Sequence, residues 1–387
     1  MGSRKARKIF FIILISLFLL LIYIFWVRKE MTDFGVFYQG GQRILEGETV
    51  YRISDGHLQY KYSPPSAIFF SLFTLFPYEV AKFIWYLSEL FLLYLILNMS
   101  YEILPLKLKK KRVVIIFALL ILAKFYAREI ELGQVNILII FTLVLLLKAF
   151  LRRNDVWGGL LWGFSLLFKP YALVFLPYFI LKKRFKLVVS GVTVAILGLL
   201  LPVIFYGFKS NLIVLKEWRS TLSRSTSSLL DIYGNASFYA FFSRILPEQK
   251  TELTLPFIII VFIFLGLLFW RIMFSGKGLK RPEVLEFSFL IIMIPLFSPL
   301  GWYYNYLYSI LTVVLLLNII DKFPLVLKYG LIANFVVIGG SLMEIMGREA
   351  FHFYTGYSIV VINCLIIVFY LFFARERKHD SSPILPD

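Results

Sequence analysis

The residues able to do chemistry in this chain are few, and most stand where an apolar side chain would cost less. Lys124 and Arg128 lie one helical turn apart near the end of an apolar run and so share a face. Lys169 sits at the Lys169-Pro170 junction between two apolar segments, each short for a bilayer crossing. Ionisable side chains near membrane depth are expensive and are usually paired or functional, the alternative being that a long cation reaches out to the interface. At Lys169 the broken backbone favours function, because irregular backbone at that depth is tolerated where it lines a cavity. Asp33, Asp55 and His57 share a polar stretch, residues 31–65, that cannot cross a bilayer. Glu89, alone in an apolar run, is expected to pair with a cation or an amide, and a proton relay would need more such residues. Glu129-x-Glu131 is a poor cation site, His57, His352 and His379 are scattered, and no Asp-x-Asp occurs, so no metal is expected. Cys364 is single and apolar in context, which reads as a core residue and permits no intrachain disulfide.

Positioning these residues falls to membrane helices. The 387 residues are 60% hydrophobic and 18% aromatic, with a mean hydropathy of +0.81, and apolar runs of spanning length recur throughout. The expected fold is all-α and polytopic: one domain over residues 1–387, with about a dozen spans of ~20 residues each. A short Pro-led segment, residues 64–76, reads as a re-entrant or interfacial helix.

Charge orients the chain. Residues 2–8 are basic and precede a long apolar run with no small-residue cleavage pattern after it, so the first helix reads as a retained anchor with a cytoplasmic N-terminus. Carrying that orientation forward puts Lys107, Lys109–Arg112, Arg152–Arg153, Lys182–Lys186, residues 277–281, residues 321–328 and the basic C-terminus inside. The first outer segment is then residues 28–78 and the longest outer loop residues 207–255. Almost all of the net charge of +18 falls on the inner side, so topology accounts for it and nucleic-acid binding is excluded. The expected location is the cytoplasmic membrane, with both termini inside and an extracytoplasmic site.

Several outer-side segments share a pattern. Asp33-Phe34-x-Val36-Phe37-Tyr38, Gly47-x-x-Val50-Tyr51 and Tyr60-x-Tyr62-x-Pro64-Pro65 are followed by Gly133-Gln134-Val135-Asn136 and Phe168-Lys169-Pro170. Asn235-x-Ser237 with Arg244 seven residues on, and Ser298-Pro299-x-x-Trp302, complete it. In this order the segments resemble glycosyltransferase family 87, polytopic enzymes of the GT-C superfamily that use polyprenyl-phosphate mannose. Members of the actinobacterial type carry a histidine shortly after the last motif, where this chain has Tyr303, Tyr304 and Asn305, so no histidine role is carried over. Asn235-Ala236-Ser237 also fits a glycosylation sequon, as does Asn98-Met99-Ser100 near the cytoplasmic face; the family reading is preferred.

What the resemblance implies is an inverting hexosyl transfer, with mannose the expected sugar, to an extracytoplasmic lipid or glycan acceptor. The phosphate is already a good leaving group, so one base and a set of cations suffice and no cofactor is needed. By resemblance Asp33 is the base. Lys169 is the first choice for the donor phosphate, with Arg244, Lys124 and Arg128 as further candidates, while Gln134, Asn136, Asn235, Ser237 and Trp302 are candidates for sugar or acceptor contacts. Tyr60 and Tyr62 read as interface anchors. A flippase of lipid-linked sugars is the competing class, but it should show repeated halves with broken helices and no internal repeat is evident. A GT-C enzyme using a different sugar is the other alternative.

Overall fold

The computed structural model describes residues 2–274 and 281–376; the basic positions expected inside at 277–280 and 377–378, and His379, lie outside them. Among the described residues every regular element is helical, and the one β feature is an isolated antiparallel bridge between Asn235 and Trp302.

Four helices are long and apolar enough to cross a bilayer alone: Ile9–Glu30, Tyr78–Glu102, Thr254–Phe274 and Tyr303–Lys322. Three sharply bent pairs raise the number to as many as seven, and four shorter apolar helices, Pro64–Leu75, Asp155–Phe168, Pro170–Leu181 and Leu325–Gly340, account for the remaining hydropathy that the sequence suggested as about twelve spans. Their outward faces are apolar, with Phe91, Leu120, Phe262, Leu267 and Val336 each at least 60% exposed. A surface of that kind is stable against lipid rather than water. Asn136–Leu151, Pro282–Phe297 and Ile310–Ile319 are buried along most of their length and form the centre.

Two bends shape the site. The helix Lys111–Leu132 ends at Gly133, whose φ of +67° closes a left-handed cap, and Asn136–Leu151 leaves at 119° to it. Glycine is required here twice over, since a Cβ at 133 would lie 2.7 Å from the Cβ of Phe34. The second bend, 93°, separates Phe185–Leu200 from Val203–Leu229. Most of the expected outer loop is therefore helical: Val203–Leu229 lies across residues 48–61, with Tyr206 OH donating to Glu48 O (2.7 Å), Thr49 to Glu217 (2.6 Å) and Trp218 Nε1 to Lys61 O (3.3 Å).

Candidate active site

Asp33 lies in the first turn of the helix Thr32–Leu45, where exposed backbone N–H groups favour a carboxylate. Phe34, Phe37, Tyr38 and Ile44 bury the other face of that helix, and Phe37 stacks on Phe70 at 4.3 Å between centroids. Arg43 makes a two-point ion pair with Asp55 that pins the turn Ile53–Leu58 beneath it. Asp55 is thus committed to structure.

Asp33 opens onto a cavity of ≈ 760 Å³. Lys61, Lys124, Arg128, Gln134 and Trp302 line the same space, as do His57, Tyr62, Tyr303 and Tyr304. Burial raises the Asp33 carboxyl above its ordinary value, while the Gln134 hydrogen bond and the charges of Lys169, Lys61 and Arg128 pull it down.

Lys169 stands one layer behind this wall. As the residue before Pro170 it is forced into an extended conformation, φ −140° and ψ 135°, which ends the helix Asp155–Phe168 and frees its side chain to turn inward. Its Nζ donates to Gln134 Oε1 (3.2 Å) and Asn136 Oδ1 (2.9 Å) and lies over the rings of Tyr62 and Tyr171. Because the cation claims the amide oxygen, the Gln134 Nε2–H is left to face Asp33 Oδ2, which it reaches at 2.8 Å. Asn136 is locked from the other side: Glu129 accepts from its backbone N–H (2.6 Å) and its Nδ2 (2.9 Å), and Nδ2 also donates to Asn305 (3.1 Å). Lys169 and Asn136 therefore orient Gln134 rather than line the cavity.

Lys124 is buried, with its ammonium on the hydroxyl and carbonyl of Ser341 and within 4.9–5.1 Å of the Phe125, Tyr303 and Tyr354 rings. Lys61 donates to the His57 carbonyl at 3.3 Å. Arg128 pairs with Glu131 at 2.7 Å.

Arg244, Asn235 and Ser237 form a separate unit. The Asn235 Nδ2 donates to the carbonyls of Leu230 (2.8 Å) and Pro299 (2.9 Å), its Oδ1 accepts from Ser237 N, and Ser237 Oγ caps the helix Phe238–Ile245. The Arg244 guanidinium gathers the carbonyls of Asn235 and Ile232 and the Ser358 hydroxyl. These residues hold the strand-like joint that carries Trp302 into the cavity, through Ala236 N to Gly301 O (2.7 Å) and Tyr303 N to Gly234 O (3.0 Å). The buried, doubly donating Asn235 amide also has no access to a glycosylation enzyme.

Three differences from the sequence reading stand out. Tyr62 is no interface anchor but part of the site, its OH donating to Gln134 Oε1 at 3.1 Å, and Tyr60 is buried against Ser66. Lys61, which the motif Tyr60-x-Tyr62 flanked without naming, lines the cavity. Among the described residues Glu89 has no hydrogen-bond partner on either buried carboxyl oxygen, in place of the expected pairing; it lies on the buried side of the helix Tyr78–Glu102 with Trp85, Tyr86 and Leu93.

The glycosyltransferase family 87 model matches residues 60–299, more than half of the chain. That range includes Lys61, Lys124, Gln134, Lys169 and Asn235, while Asp33 lies upstream of it and Trp302 just beyond. Searches of curated proteins and of solved structures returned no significant match. With apolar helices throughout and this match over its central part, the chain belongs to glycosyltransferase family 87, a family of membrane glycosyltransferases.

Proposed function

We propose that this protein transfers a hexose, with mannose the first expectation, from a polyprenyl-phosphate donor to a hydroxyl of a lipid or glycan acceptor on the outer face of the cytoplasmic membrane. One observation carries the reading. A carboxylate, Asp33, shares a single cavity with two cations, Lys61 and Lys124, whose hydrogen-bond partners among the described residues are all neutral.

In this scheme the acceptor hydroxyl gives its proton to Asp33 as its oxygen bonds the anomeric carbon. The bond from that carbon to the phosphate oxygen breaks on the opposite face, inverting the centre, and the electron pair leaves with the phosphate. Lys61 and Lys124 neutralise the charge that develops there, and Arg128, which shares its own charge with Glu131, adds a smaller part. Lys61 and Lys124, held by carbonyls, a hydroxyl and ring faces, can meet an anionic substrate without first breaking an ion pair and need no rearrangement as it reacts. Gln134, oriented by Lys169, keeps an N–H on Asp33 and so fixes the rotamer of the base. Trp302, Tyr303 and Tyr304 supply aromatic faces for a sugar ring.

The test is transfer of labelled hexose from a polyprenyl-phosphate donor by purified protein in lipid, comparing wild type with Asp33→Asn. Loss of transfer with intact membrane insertion is expected; appreciable residual transfer removes Asp33 from the role of base.

A further inference from the structure

A second cavity, ≈ 630 Å³, runs down the outside of the bundle between Lys111–Leu132 and Leu325–Gly340. Val113, Phe117 and Ile121 form one wall, and Phe335, Val336 and Gly340 the other. Lys109, tied to Asp321, stands at its far mouth. Among the described residues that line the groove, Lys109 is the one charged side chain.

The near mouth adjoins the candidate active site. Ile121 is one turn before Lys124 on the same helix, which puts the two on neighbouring parts of one face. Gly340 precedes Ser341, whose carbonyl and hydroxyl hold the Lys124 ammonium, and Leu342 already lines the active-site cavity. The groove's lining thus ends one helical turn from Lys124 on one wall and one residue from its partner Ser341 on the other, while Lys124 itself lines the cavity.

We propose that this groove seats the isoprenoid chain of the donor, with the phosphate at Lys124, one turn beyond the near mouth; the assignment rests on the lipid-phosphate reading above. The bonding of such a donor selects the occupant. Its phosphate is esterified directly to the first carbon of the chain, so the chain must leave the site beside the cation that holds the phosphate. The apolar chain of an acceptor is under no such constraint, since the hydroxyl that reacts is not the group the cations hold. From Val113 to Lys124 the helix rises roughly 16 Å, enough to grip the units nearest the phosphate while the rest of the chain lies in the bilayer. A continuous apolar contact of this kind adds affinity with each CH₂ it removes from competing surroundings only where the fit is close, because lipid is itself apolar.

The experiment uses the full chain in nanodiscs with a polyprenyl-phosphate hexose that carries a photoactivatable diazirine on its second isoprene unit. Labelling is expected within residues 113–121 and 332–340. In parallel, Gly340→Leu fills the groove without striking backbone, since a Cβ there meets only Ile345 Cγ2, at 3.9 Å. It should raise the donor KM about tenfold and spare kcat. Gly266→Leu, on the helix Thr254–Phe274 where nothing lies within 4 Å, is the control and should leave both unchanged. Transfer that proceeds with labelling on other helices, or with a donor KM unmoved by Gly340→Leu, overturns the groove alone. Absence of both transfer and labelling from such donors overturns the functional reading and the groove with it.

Discussion

At one end of the bundle Lys111 and Lys148 both reach Glu102, at 3.6 and 3.7 Å, and Lys328 joins Lys109 on Asp321. Roughly 20 Å further along the helix Lys111–Leu132, Lys124 rests instead on a serine and three aromatic rings, and across the cavity Lys61 rests on a carbonyl. Both ends are rich in cations; at the first these lysines are given carboxylates, whereas at the cavity Arg128 takes one, from Glu131, and Lys61 and Lys124 rest on neutral groups. Exposed ion pairs of that kind contribute little stability, and a paired cation has already spent its field. At the cavity the neutral partners of Lys61 and Lys124 leave positive charge available; Glu131 is taken up by Arg128, and Asp33 is held by an amide instead of a cation. Composition alone registers lysine at both ends; the difference lies in what each lysine touches.

That contrast is broken most severely at Asp33. Asp33→Asn removes the base and should lower kcat/KM by about 10²–10⁴-fold, the usual contribution of general base catalysis. Stability should move the other way. Burial raises the Asp33 carboxyl in the folded state, so its ionised form disfavours folding at any pH above its unfolded value. The asparagine variant should unfold at the same temperature as wild type or higher when both are heated at neutral pH in detergent.

Removing a cavity cation comes next. Lys124→Met keeps bulk among the rings but deletes the charge and should cost about 10²-fold in kcat/KM for the lipid-phosphate donor; Lys61→Met should act in the same sense. An unchanged rate in steady-state donor titrations would dissociate these lysines from the phosphate.

Lys169→Met should cost less, about tenfold, because it acts through Gln134. It also has a signature that a merely structural role lacks. Losing the positive charge removes one influence that lowers the Asp33 carboxyl, so the acidic limb of the kcat/KM profile, where Asp33 takes up a proton and activity falls, should move to higher pH. Lys169→Arg should restore part of the wild-type profile. At the opposite end, Glu102→Gln should leave transfer within twofold of wild type, since the cations it frees face no substrate.

Much of this was legible in the sequence. The helical class followed from apolar runs, and Asp33, Lys124, Arg128, Gln134 and Trp302, picked from widely separated segments, line one cavity. What resisted reading was the order of layers. Lys169 looked like the first contact for a phosphate because its junction is irregular, yet the same Pro170 that breaks the helix turns the lysine onto Gln134 and Asn136. Arg244 was a candidate for the donor phosphate by resemblance, but the carbonyls it gathers belong to a bend formed only when residues 232–235 meet residues 299–303. Lys61 escaped notice because a lysine between two loop tyrosines has no periodicity to mark it. The Val203–Leu229 helix that covers it is polar enough to read as loop.

The central claim is that Asp33 and the neutrally held lysines act on one lipid-linked phosphosugar. Its most direct test is single-turnover hexosyl transfer from a polyprenyl-phosphate donor by wild type, Asp33→Asn and Lys124→Met in nanodiscs, with donor binding measured alongside. Transfer by wild type, donor bound but not turned over by Asp33→Asn, and weakened binding in Lys124→Met are the expected results. Transfer by Asp33→Asn at a rate near wild type would contradict the account.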